Sequence, residues 1–134
     1  MRDPVERIWS QVRMNQQRGR RPNPRSEVDL VRERYARPTV EARTRYEATV
    51  PRLDEVFGPE DVHYVFSEEL STDRSLRELS AFVDIPFRST DPATRANTSP
   101  KREQLPDDLV ETIAHHYRGT YEFVARRFGV EDMT

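Results

Sequence analysis

The sequence predicts an α/β fold, mostly helical with one clear strand at residues 62–66, and three stretches carry that reading. The chain opens with Asp3-Pro4-Val5-Glu6, a capping residue, a proline suited to the first helical position and an Asp-x-x-Glu capping box. Val62-His63-Tyr64-Val65-Phe66 is short, β-branched and aromatic, and it is apolar on both faces, as a strand covered by helices on both sides would be. From Pro106 to Phe128 a long amphipathic pattern predicts a final helix, stopped by Gly129.

Taken in order, the first helix places Val5, Ile8, Trp9 and Val12 at i, i+3, i+4 and i+7, one apolar stripe facing a core. Arg7, Ser10 and Gln11 fall on the polar face. Arg18-Gly19-Arg20-Arg21-Pro22-Asn23-Pro24-Arg25 then predicts a loop, since glycine and proline break any period and the four arginines repel one another. Ser26 is placed to cap a short helix containing Val28, Leu30 and Val31. A helical pattern from Thr39 to Phe57, with Ala42, Tyr46, Val50 and Leu53 in step, is interrupted by Pro51, which predicts a kink or two abutting helices near Thr49. After the strand, Ser71-Thr72-Asp73 is placed to cap a helix holding Leu76, Leu79, Phe82 and Val83. Residues 86–104 read as a polar loop.

Composition narrows the classes. A chain of 134 residues has room for one domain, and with hydrophobic and charged residues both at 34% its core is thin. No apolar run approaches the ~20 residues that cross a bilayer, and the N-terminus lacks a signal-peptide core, so no membrane role and a cytoplasmic location are expected. The absence of cysteine excludes disulfides, thiolate catalysis and Cys-ligated metal. His115 and His116 point about 100° apart on a helix and His63 has no evident carboxylate partner, so no metal site is expected. Glu68-Glu69 diverge in a turn, which favours loop fixing over paired acid–base work. Net charge is −2, but residues 1–50 hold 12 Arg against 7 acids, whereas residues 51–134 hold 10 basic residues against 17 acids. The front half attracts anions.

The segment Arg2-Asp3-Pro4-x-x-Arg7-x-x-Ser10 resembles the 3'-phosphate-binding segment of sulfotransferases that use the sulfonate donor PAPS (3'-phosphoadenosine 5'-phosphosulfate). Further landmarks follow in the family's order: Tyr46, Phe57-Gly58, residues 62–66, Glu69-Leu70, Asp73, Phe82 and Ile85. Val83-Asp84 stands where that pattern has Leu-Gly. Ala96-Asn97-Thr98-Ser99 is similar to the Val-Asn-x-Ser segment before the family's last helix, and the Tyr-containing terminal helix ending Phe128-Gly129 resembles it too.

The resemblance implies the C-terminal part of a P-loop-type sulfotransferase fold, with residues 1–134 forming a single partial domain that lacks the N-terminal phosphate-loop half. It implies that Arg2 grips the donor's 3'-phosphate by a charge-assisted fork and Ser10 by a hydroxyl, with Lys101 and Arg102 adding charge nearby. The expected activity is sulfonate transfer to a hydroxyl or amine on a small-molecule or carbohydrate acceptor. The phosphate loop and the general base would precede Met1, so no catalytic residue is named and the isolated chain is expected to lack turnover. A lone strand has unpaired donors and acceptors on both edges, which invite pairing with another chain. A reading from another class is a small Arg-rich helical interaction or nucleic-acid-binding protein that uses the loop at residues 18–25; it predicts affinity falling steeply with salt.

Overall fold

A computed structural model of the chain describes residues 1–18, 24–89, 101 and 103–130. The described residues form seven helices: α1 (Pro4–Arg18), α2 (Glu27–Arg34), α3 (Pro38–Thr44), α4 (Tyr46–Val56), α5 (Asp73–Phe82), α6 (Asp107–His116) and α7 (Arg118–Phe128). None of them is long and apolar enough to cross a membrane.

Helix α1 is the hub, packing against α2, α3 and α6. Its stripe is buried as its spacing predicts: Val5, Ile8, Trp9 and Val12 enter one core with Leu30 and Val31 of α2 and Leu109 and Ile113 of α6. The Asp3 carboxylate accepts the Glu6 amide at 2.8 Å, capping the first turn. The reciprocal half of the capping box is not used; the Glu6 side chain turns instead to Arg2 and Lys101. Ser26 caps α2 through the Asp29 amide at 3.0 Å, and Thr72 caps α5 through that of Ser75 at 3.2 Å.

The α/β expectation is corrected: among the described residues there is no strand and no sheet, and hence no β-scaffold of the P-loop-type sulfotransferase kind. Residues 62–66 are extended but form no ladder, because the main-chain groups that a strand must pair find almost nothing to pair with. Among the described residues their distant main-chain partner is Met1, whose amine donates to the Val65 carbonyl and whose carbonyl accepts the neighbouring Ser67 amide at 2.6 Å, while the Phe66 carbonyl accepts the Glu69 amide in a local turn at 3.1 Å. Side chains hold the segment instead: Tyr64 and Phe66 meet Phe128 edge-on, with ring centroids 5.6 and 5.8 Å away.

Two helix boundaries also differ from expectation. The break in the 39–57 region falls at Arg45, where ψ is 82°, and Pro51 sits inside an unbroken α4. The terminal helix is divided at Tyr117, whose ψ of 18° separates α6 from α7. This division lets Tyr117 sink fully into the core, its hydroxyl donating to the Tyr35 carbonyl, while α7 turns to pack on α4. Gly129 ends α7 in the left-handed conformation (φ 67°). At the end of α5, Ile85 N–H bonds the Ser80 carbonyl and Asp84 N–H that of Ala81, the two bonds of a Schellman stop. Asp84 itself holds φ at 53°, the left-handed position that glycine fills most readily.

Candidate functional site

The three described members of the proposed donor site lie on or beside the first turns of α1. Arg2 precedes the helix and is fixed by its main chain: its amide donates to the Tyr46 hydroxyl at 3.1 Å, and that hydroxyl donates to the Arg2 carbonyl at 3.0 Å. Burial raises the Tyr46 pKa, which keeps this clamp protonated. The Arg2 guanidinium then reaches Glu6 Oε2 at 3.4 Å, while Lys101, distant in sequence, reaches the other oxygen, Oε1, at 2.8 Å. Two of the expected cations thus share one carboxylate. Ser10 lies one turn beyond Glu6 on the same side of α1 and is half-buried. Arg102 lies outside the described residues, as do Asn97-Thr98-Ser99 and most of the arginine-rich loop between residues 18 and 25.

Trp9 forms the floor beneath Lys101, whose Nζ is 4.5 Å from the ring centroid; Arg13 also stacks on the ring, its Cζ 4.7 Å away. The indole N–H donates to the buried Glu27 carboxylate at 2.8 Å, which locks the ring. Arg13 is 5% exposed, and its Nε and Nη1 have no hydrogen-bond partner among the described residues.

Asp3 is the other fixed acid. It is 6% exposed and, besides capping α1, accepts the Tyr121 hydroxyl at 2.6 Å, tying α7 to the start of α1. Burial, and then this bond to a carboxylate, push the Tyr121 phenol far up, so it is a permanent donor. The third motif residue, Arg7, braces the segment from below through Thr44 Oγ1 at 3.0 Å. A chain of polar contacts continues behind it: His116 meets Glu41 at 2.7 Å, Glu41 meets Arg45 at 2.8 Å, and Thr120 donates to Glu47 at 2.6 Å. The bonds from Arg45 and His116 hold the Glu41 carboxyl below its usual range. These contacts fasten α3 and α4 to α6 and α7. Among the described residues no three His, Asp or Glu side chains could hold one metal ion.

A groove of about 1340 Å³ opens beside this cluster. Val5, Trp9, Phe66, Leu105, Val110 and Ala114 supply its apolar wall, and Lys101 and Glu6 stand at its edge.

The sequence alone pointed to Arg2, Ser10 and Lys101, but not to Glu6 as their meeting point, nor to Tyr46 and Tyr121 as the residues that fix Arg2 and Asp3. Those contacts span 95, 44 and 118 residues. Nothing in local spacing encodes them; the apolar pattern shows only that Tyr46 and Tyr121 face inward. Comparison with models of protein families, with curated proteins and with solved structures gives no match.

Proposed function

We propose that the chain binds the 3'-phosphorylated adenine nucleotide of PAPS-dependent sulfonate transfer, with Arg2, Ser10 and Lys101 as the contacts to the 3'-phosphate. The reaction served is transfer of a sulfonate from PAPS to a hydroxyl or amine acceptor. One observation carries the reading: Arg2 and Lys101 converge on opposite oxygens of Glu6, one helical turn before the Ser10 hydroxyl. A carboxylate bridging two cations stands where a phosphate would bridge them. When Glu6 swings aside, a guanidinium fork, an ammonium and a hydroxyl are left facing one anion, a donor set suited to a phosphate dianion.

Two further features support it. Met1 and residues 65–67 are joined by main-chain hydrogen bonds, so the Arg2 segment runs beside the stretch that follows it in the resemblance. At the close of α5, Asp84 takes a left-handed backbone at the position where the resemblance has glycine.

The test is a calorimetric titration with adenosine 3',5'-bisphosphate, the donor's product, against AMP, which lacks the 3'-phosphate. The bisphosphate should bind more tightly. Arg2→Ala should weaken it about 10- to 100-fold, the usual worth of a hydrogen bond to a charged group, while leaving AMP unaffected. Equal affinity for the two nucleotides, or an Arg2→Ala variant that binds as the parent does, would overturn the assignment.

A further inference from the structure

The groove beside the site has a character of its own, opposite to that of the phosphate contacts. Its wall is apolar, with Val5, Trp9, Leu105, Val110 and Ala114 running between α1 and α6, and acidic side chains rim it. Glu68 and Glu69 stand on one lip, and Glu103 and Asp107 on the other. Of the basic residues described along it, Lys101 is engaged with Glu6 at 2.8 Å and Arg118 with Glu122 at 3.2 Å, and His115 is the third. Glu68, Glu69 and Asp107 form no ion pair among the described residues, and Glu68 and Glu69 are exposed. The Met1 ammonium acts on Glu68 and Arg74 on Glu69, so the rim's charge is softened, yet its acids outnumber its bases beside the apolar wall.

The geometry points to a docking groove for a basic amphipathic helix of a partner polypeptide, its apolar side against the half-buried Phe66, Val110 and Ala114 beside Trp9 and its Lys or Arg side chains on Glu68, Glu69 and Asp107. Charge complementarity selects the occupant. An acidic rim repels nucleic acid and anionic lipid, and an apolar wall gives a purely polar polybasic tail nothing to bury. Size points the same way, because about 1340 Å³ exceeds the roughly 300–1000 Å³ of pockets that enclose a small molecule. Recognition would follow the helix-in-groove pattern, with anchors at i, i+3, i+4 and i+7. The groove shares Glu6 and Lys101 with the nucleotide site, but the inference draws on Glu68, Glu69 and Asp107, so the two readings can fail separately.

The chain contains one tryptophan, and it lies on the groove floor, so Trp9 emission reports occupancy directly. The experiment titrates the full chain with a synthetic helix of Leu and Lys at amphipathic spacing, and with a scrambled peptide of the same composition. The amphipathic peptide should shift Trp9 emission saturably. The scrambled one should bind at least about tenfold more weakly, and so should the amphipathic one to the exposed double variant Glu68→Lys, Glu69→Lys. Circular dichroism of that variant checks that its helices persist. Equal binding of the two peptides, or unchanged affinity in the charge-reversed variant, would overturn the inference. So would a Trp9 shift without peptide that tracks a dimer mass in sedimentation, which would give the groove to a second copy of the chain.

Discussion

At the residue scale, two features carry predictions about stability. Asp84 holds a left-handed backbone at the stop of α5, a conformation that crowds any Cβ. Asp84→Gly should relieve it and raise unfolding stability by roughly 0.5–1 kcal/mol in urea, since aspartate already tolerates this region better than most residues. A variant less stable than the parent would mean that the Asp84 side chain holds the turn. The second feature is the pair of interior phenols. Burial pushes Tyr117 up to about 12, and burial with the Asp3 contact pushes Tyr121 up as well, both from an ordinary value of 10.0. The folded state therefore favours the neutral phenol more than the unfolded chain does. The stability this contributes is fully present below pH 10 and is lost as pH rises through about 12. Urea midpoints measured across alkaline pH should fall over that window, and Tyr121→Phe should flatten the fall.

At the element scale, α4 carries a proline in its interior without breaking. Pro51 lacks the amide that would reach back one turn, and it is exposed, so Pro51→Ala should lengthen the hydrogen-bond ladder at no cost in packing. A gain of about 1–3 kcal/mol is expected, read from the urea midpoint. Helix α1 is the opposite case. Ile8 is 1% exposed at the centre of the contacts with α2 and α6, and Ile8→Ala should cost about 2–5 kcal/mol.

The elements also show what the sequence discloses and what it hides. Local signals were accurate where the physics is local: Asp3, Ser26 and Thr72 cap the helices they precede, Val5 through Val12 face inward, and Gly129 stops α7. They misled where the outcome depends on distant partners. Residues 62–66 have strand composition, yet a strand is defined by what pairs with it, and among the described residues no other strand runs beside them, only Met1. The pattern from Pro106 to Phe128 is continuous in period, but the chain turns at Tyr117, and the turned α7 packs on α4, a distant partner that the period does not encode. The site divides in the same way. The sequence proposes Arg2 and Ser10 from a spaced motif at the start of one helix, whereas the meeting of Arg2 with Lys101 at Glu6 exists only after distant stretches of the chain are folded together.

At the scale of the whole molecule, ion pairs tie distant stretches of the chain: Lys101 returns to Glu6, Arg32 of the basic front half meets Asp108 of the acidic back half, and Arg127 meets Asp54. The groove's rim stays net acidic, and among the described residues Glu6 joins two cations beside Ser10, as Glu33 joins Arg25 and Arg37 elsewhere. In the proposed site the Glu6 carboxylate is an internal occupant of the phosphate position. Glu6→Gln is therefore the most direct test, because it keeps the shape of the side chain and removes the competing charge. Calorimetry should show the variant binding adenosine 3',5'-bisphosphate about tenfold more tightly than the parent does, with AMP affinity unchanged. Affinity that is unchanged or weakened by Glu6→Gln, or equally improved for AMP, would contradict the account.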